Sequence, residues 1–225
     1  MGKLKLGILG NGYLADIIVE AGLKGMLDEY ELVGVLGRTR EKTELLAKKG
    51  GCRACRTIDE LLALAPDYVA EAASVQSVKD CGVKILASGA VGGFDVLRTI
   101  SLMGQAEAGI RTKKGPASLK GTPLFEERLM EDTQESHVFH GNAKEAISLL
   151  PTKVNVAVAS SLATVGPEDT RVDIYSVPGM VGDDHKITSQ IEGVKAVVDI
   201  YSSTSAIAGW SVVAVLQNII SPIVF

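Results

Sequence analysis

Lys3-Leu4-Lys5-Leu6-Gly7-Ile8-Leu9-Gly10-Asn11-Gly12-Tyr13-Leu14-Ala15-Asp16 is the stretch that decides the fold. A short apolar strand runs into Gly10-x-Gly12-x-x-Ala15, and apolar residues then recur at Leu14, Ile17, Ile18, Ala21 and Leu23 with roughly helical spacing. Each small residue in the turn has a reason. Gly10 permits a tight strand-to-helix turn, Gly12 lets backbone approach a pyrophosphate, and Ala15 lets the helix pack on the strand. Phosphates would sit on the free N–H groups at the helix start, where the helix dipole favours negative charge. The stretch predicts a dinucleotide site contacted by Gly10, Asn11, Gly12, Tyr13, Leu14 and Ala15.

Working outward, Glu31 to Leu36 is a second strand and ends in Gly37-Arg38-Thr39-Arg40. An acidic residue at that point would hold ribose hydroxyls, whereas an Arg accommodates a 2′-phosphate, so Arg38 points to NADP, with NAD as the alternative. Glu41 to Lys49 reads as a helix stopped by Gly50-Gly51, Arg53 to Arg56 as a short strand, the segment from Thr57 to Leu64 as a helix, and Asp67 to Ala72 as a fourth strand. Alternating strands and helices of this kind predict an α/β fold with a doubly wound parallel sheet. Glu71-Ala72-Ala73-Ser74 would lie at the ligand edge of that sheet. The pattern then weakens: between Val75 and Thr112 only Val83 to Ala87 and Ala108 to Arg111 are candidates for the missing strands.

From Thr112 the chain changes character. Lys113-Lys114-Gly115-Pro116 and the polar segment from Glu126 to Glu135 read as loop and linker. Strands near Val138, Val172 to Val177, Ile187 to Glu192 and Ala196 to Tyr201, with helices from Ala143 to Leu150 and Ser205 to Ile219, predict an α+β domain with a mostly antiparallel sheet. The expected division is 1–110, joined by a returning helix at 204–225, and 111–203.

Composition excludes several classes. The chain has 225 residues, 46% of them hydrophobic, and a net charge of −4 with both signs scattered, which argues against nucleic acid or an anionic membrane as partner. The N-terminus lacks a signal-peptide pattern, so the expected location is cytoplasmic. The apolar run from Ala208 to Phe225 is interrupted by Gln217, Asn218 and Pro222, which favours a buried helix over a membrane span. Cys52 and Cys55 have no second ligand pair at zinc spacing, and His137 and His140 have no third ligand nearby in sequence, so no metal is expected. His185, in the polar segment Gly182-Asp183-Asp184-His185-Lys186 ahead of a strand, is a candidate for proton transfer, though its spacing alone marks only a loop histidine.

The segments Gly141-Asn-Ala-Lys-Glu-Ala146, Pro151-Thr-Lys-Val-Asn155-Val-Ala157, Asp169-Thr-Arg171, Asp184-His185 with Ile191-Glu-Gly193, and Thr204-Ser205 with Ser211-Val-Val213 resemble the L-aspartate dehydrogenase family. The glycine turn, Glu71-Ala-Ala-Ser74, Ser88-Gly-Ala90 and Gly92-Gly93 fit the same resemblance, which covers nearly the whole chain in order. It implies a Rossmann-type domain followed by a catalytic and dimerisation domain. It also implies reversible oxidative deamination of L-aspartate to an imine, which hydrolyses to oxaloacetate and ammonia, in a homodimer using NADP or NAD. By this resemblance His185 is the catalytic acid/base and Ala72, Ser74, Ala90 and Asn155 join the cofactor contacts, while Lys114 is a looser candidate for a substrate carboxylate, weighed against a solvated loop lysine.

The chain departs from the family in three places, one of them a short segment between Ile200 and Thr204. About 30 to 35 residues, holding the last two strands of the six-strand plan, are absent near Gly89–Gly92. His140 stands where the family often has Glu. Another NAD(P)-linked oxidoreductase of the same plan, or a shortened nucleotide-binding protein without activity, are the alternatives.

Overall fold

The computed structural model describes residues 2–73, 85–87, 91–151 and 153–222. Ser74 and Ala90, both expected at the cofactor, lie outside the described residues; of the candidate strand from Val83 to Ala87, Ile85–Ala87 is described and forms a strand. By its contacts the chain divides into two units, Met1–Ser88 with Ser205–Phe225, and Gly89–Thr204. That division falls ahead of the change in composition near residue 110.

The first unit holds an all-parallel sheet. Its strands are β1 (Leu4–Leu9), β2 (Tyr30–Leu36), β3 (Arg53–Cys55), β4 (Tyr68–Glu71) and β5 (Ile85–Ala87), in the order β3-β2-β1-β4-β5. Placing β1 centrally, with β2 and β4 on either side, creates the crevice at the carboxyl ends of the strands where a dinucleotide lies in sheets of this kind. Helices α1 (Tyr13–Leu23), α2 (Arg40–Gly50) and α3 (Ile58–Leu62) supply the crossovers.

Ile8 and Val35 are fully buried in the strands, and Ala15, Ile18 and Ala21 form the inner stripe of α1. The sheet ends at β5 among the described residues. From Ala87 the chain passes through the helix Phe94–Met103 into the strand Glu107–Lys114, which pairs in the second sheet, so five strands make up this sheet among the described residues.

The last helix, α7 (Ala206–Ile220), returns to this unit and packs on α1. Val212, Val213 and Leu216 are buried, and Tyr30 Oη donates to the Leu216 carbonyl at 2.8 Å. Gly209 makes the approach possible, since a Cβ there would lie 2.8 Å from Ile17 Cδ1. Among the described residues no helix is long and apolar enough to cross a membrane.

The second unit holds β6 (Glu107–Lys114), β7 (Ser136–Asn142), β8 (Thr170–Ser176), β9 (Asp183–Ile191) and β10 (Val194–Ser202) in the order β10-β9-β6-β8-β7. Only β6 and β8 are parallel. Ala108 to Arg111, a candidate for the first sheet, is therefore part of the central strand of the second. α4 (Phe94–Met103), α5 (Ala143–Leu149) and α6 (Asn155–Ala163) complete the unit. Strand alternation divides the sheet into two faces. Ile110, Val172, Ile174 and Ile187 pack in one core with Leu97 of α4 and Val156 of α6. Arg111, Arg171, Lys186 and Gln190 instead line an open cavity of about 920 Å³.

Candidate active site

Gly10 leaves β1 with φ +137°, a conformation that L side chains rarely adopt, and a Cβ there would lie 2.6 Å from the Ala72 carbonyl oxygen. Ala72 N donates to the Leu9 carbonyl and Gly10 N to the Leu36 carbonyl, each at 2.7 Å, so the turn is fastened to β4 and β2. Gly12 N-caps α1 in an extended conformation with no side-chain cap, and nothing lies within 4 Å of where its Cβ would be. An uncapped helix start beside open space is what a pyrophosphate requires, so these residues fit a bound dinucleotide. Ala15 is fully buried and serves helix packing, Leu14 is half-buried, and Tyr13 is exposed at the turn.

Asn11 spends its side-chain amide on the chain itself. Its Nδ2 donates to the Thr39 carbonyl at 2.8 Å and to Thr43 Oγ1 at 2.9 Å, tying the glycine turn to the loop that carries Arg38. That loop borders a cavity of about 400 Å³ lined by Gly37, Arg38, Arg40, Thr43, Glu44 and Arg56, among others. Arg40 Nε pairs with Glu44 at 2.8 Å along α2. Arg38 and Arg56 are the other guanidinium side chains lining the cavity. Arg56 was not among the expected contacts, because its approach to Arg38 depends on the pairing of β2 with β3.

In the second unit β6 and β9 pair antiparallel, and the register sets Thr112 opposite His185 and Lys114 opposite Asp183. All four side chains share one face, since 112 and 114, like 183 and 185, are two apart. Thr112 Oγ1 lies 3.0 Å from His185 Nδ1, Asp183 Oδ2 lies 4.0 Å from His185 Nε2, and Asp183 Oδ1 lies 3.5 Å from Lys114 Nζ.

His185 is not a loop residue. It is the third residue of β9 and only 6% exposed. Lys114 is likewise no solvated loop lysine: it ends β6 at 7% exposure, with Gly115-Pro116 following. Burial pushes the His185 pKa below its ordinary value, Lys114 adds to that, and Asp183 and Asp184 oppose it. The imidazole is therefore held neutral and able to take a proton. Asn155 opens α6 with an exposed side chain and is no member of this cluster.

Two sequence features have other outcomes. Cys52 and Cys55 are free thiols; burial pushes Cys52 up to about 11 and Cys55 in the same direction, so both stay protonated at neutral pH. His137 and His140 do acquire a third partner, Asp173, from the neighbouring strand.

Residues 95–219 match the family model described as aspartate dehydrogenase, C-terminal, which is more than half of the chain. The chain belongs to the aspartate dehydrogenase family. Residues 6–96 match the NAD-binding domain model of homoserine dehydrogenase. Together with the geometry of the glycine turn, this makes the chain an oxidoreductase that uses NAD or NADP.

The chain is 29% identical to an L-aspartate dehydrogenase of Methanococcus maripaludis and 28% identical to one of Methanosarcina mazei, each match covering 98% of both chains. These matches run over 265 and 268 positions against 225 residues here, so the relatives carry positions that this family member lacks. The crystal structure of aspartate dehydrogenase from Thermotoga maritima superposes with a TM-score of 0.73 at 21% identity, covering 99% of each chain, and shares the fold.

Proposed function

We propose that this chain catalyses the reversible oxidative deamination of L-aspartate to iminoaspartate, which hydrolyses to oxaloacetate and ammonia, with NADP or NAD as the oxidant. One observation carries the reading: a buried, neutral His185 stands beside a buried Lys114 on one face of the second sheet. That pairing supplies a base for the substrate ammonium and a cation for a substrate carboxylate, the two groups that an amino acid presents at one carbon.

Gly10, Gly12 and the first turn of α1 would hold the pyrophosphate, and Arg38 would take the 2′-phosphate of NADP. The nicotinamide supplies the hydride acceptor. His185 Nε2 removes a proton from the substrate ammonium, leaving a free amine whose lone pair assists loss of hydride from the α-carbon. With Nδ1–H donated to Thr112 Oγ1, the Nε2 lone pair is the one available, and Asp183 stabilises the imidazolium that forms. Water then adds to the imine carbon and ammonia leaves. Asn155, Ala72, Ser74 and Ala90 belong to the proposed cofactor contacts, and a cytoplasmic homodimer with no nucleic-acid partner belongs to the same reading.

The test is oxidation of NADPH and NADH by purified protein, dependent on both oxaloacetate and ammonium, in the wild type and in His185→Ala. Removing a positioned proton-transfer group costs roughly 100- to 10,000-fold in rate. An unchanged rate in His185→Ala would remove His185 from the chemistry. Calorimetric dinucleotide binding without turnover would instead assign a nucleotide-binding role to the shortened chain.

A further inference from the structure

His137 and His140 are three apart in a strand, a spacing that ordinarily sends side chains to opposite faces. Here a bulge changes that. On β8, His137 pairs with Tyr175 and Phe139 with Ile174, so Val138 is an extra residue, and His140 comes opposite Asp173. Both histidines therefore share a face with Asp173 and Tyr175, the face turned away from the core of the second unit.

The two rings converge on one oxygen. Asp173 Oδ1 lies 3.0 Å from His137 Nε2 and 2.7 Å from His140 Nδ1, and the three candidate ligand atoms all lie within 4.8 Å of one another. His137 is oriented by stacking on Tyr175, with ring centroids 4.4 Å apart and planes 12° from parallel. Arg171 Nε sits 3.7 Å from the other carboxylate oxygen, Oδ2, which leaves Oδ1 to act alone.

We propose that His137, His140 and Asp173 form a binding site for a divalent first-row transition cation of the zinc type. Two imidazoles and one monodentate carboxylate suit Zn²⁺, Co²⁺ or Ni²⁺, whereas Mg²⁺ and Ca²⁺ require mainly oxygen ligands. Tetrahedral coordination at about 2.0–2.2 Å places ligand atoms roughly 3.4 Å apart, so the two His–Asp173 separations of 3.0 and 2.7 Å would open by about half an ångström to admit the ion. The histidine side chains are 40% and 65% exposed, which gives the ion a path from solvent and leaves water to complete its coordination. The site is separate from the Thr112–His185 pair, which faces the core side of the same sheet.

The experiment is titration of the full chain with Zn²⁺ by calorimetry and with Co²⁺ by visible absorption. Measurements are made on the wild type, His140→Ala, Asp173→Asn and the double variant Cys52→Ser/Cys55→Ser. His140 is exposed and Asn preserves the shape of Asp, and circular dichroism confirms that each variant is folded. The expected result is saturable one-to-one binding with tetrahedral-type Co²⁺ bands, at least ~10-fold weaker in His140→Ala and in Asp173→Asn, and unchanged in the cysteine variant. Absence of saturable binding, wild-type affinity in either ligand variant, or loss of binding in the cysteine variant would each overturn the proposal.

Discussion

Thr112 Oγ1 and His185 Nδ1 face each other at 3.0 Å across directly paired residues of β6 and β9, both side chains buried. The contact fixes the imidazole plane and leaves Nε2 as the nitrogen for the proposed proton transfer. Thr112→Val preserves the branched shape and removes the hydroxyl. A net hydrogen bond is worth about 0.5–1.5 kcal/mol, so kcat should fall roughly 2- to 10-fold while KM for aspartate holds. The pH profile of kcat/KM should also move, because the ring loses the partner that orients it. A merely structural threonine would leave that profile in place.

His185 should make stability, and through its proposed role activity, depend on acidity. Its folded pKa lies below the ordinary 6.5, with burial as the main cause. The unfolded chain thus takes up this proton near 6.5 and the folded chain only at lower pH. The contribution to stability is complete above about pH 6.5 and is lost as pH falls toward the folded value. Melting temperature measured across this window should decline less steeply in His185→Gln than in the wild type. In the deamination direction, the acid-side fall of kcat/KM should have its midpoint below pH 6.5, since the proposed base works neutral.

The strand, glycine turn and α1 were legible from sequence because every signal lies within a few adjacent residues. The His185 cluster was legible only in part. Thr112 and Asp183 become its neighbours through the β6–β9 pairing of segments some seventy residues apart, which no local pattern announces. Lys114 reads as loop because Gly115-Pro116 follows it, yet the strand runs up to that stop, and Asp183 beside Lys114 offsets the cost of its burial. His137 and His140 lacked a third ligand in sequence; the bulge at Val138 and the pairing with β8 supply Asp173. Counting residues, by contrast, overstated the loss in the first sheet: two strands were expected to be absent, yet Ile85–Ala87 pairs with β4 as a fifth.

Leu216 fixes α7 against the first unit. It is fully buried in the same core as Ile18, Ile8 and Ala15, and its carbonyl accepts from Tyr30. Leu216→Ala opens a cavity without touching that hydrogen bond, so the loss should be about 2–5 kcal/mol. Urea unfolding that follows the Trp210 emission, with Trp210 on the same helix, measures it. A loss below about 1 kcal/mol would mean that α7 contributes little to the unit it packs on.

In the proposed reading Arg38 is the side chain that should discriminate between the two dinucleotides. It lines the cavity beyond β2 with Arg56, while Arg40 is paired with Glu44. NADP differs from NAD there by a single phosphate. A guanidinium–phosphate contact is charge-assisted and worth about 1.5–3 kcal/mol, or roughly 10- to 100-fold in affinity. Arg38→Ala should therefore weaken NADPH by that factor in calorimetric titration and leave NADH within about 2-fold. Arg56→Ala separates the two cations: a comparable selective loss would show both guanidiniums on the phosphate, and no loss would leave the selectivity with Arg38 alone. Equal weakening of both nucleotides in Arg38→Ala would place that side chain on the shared part of the cofactor.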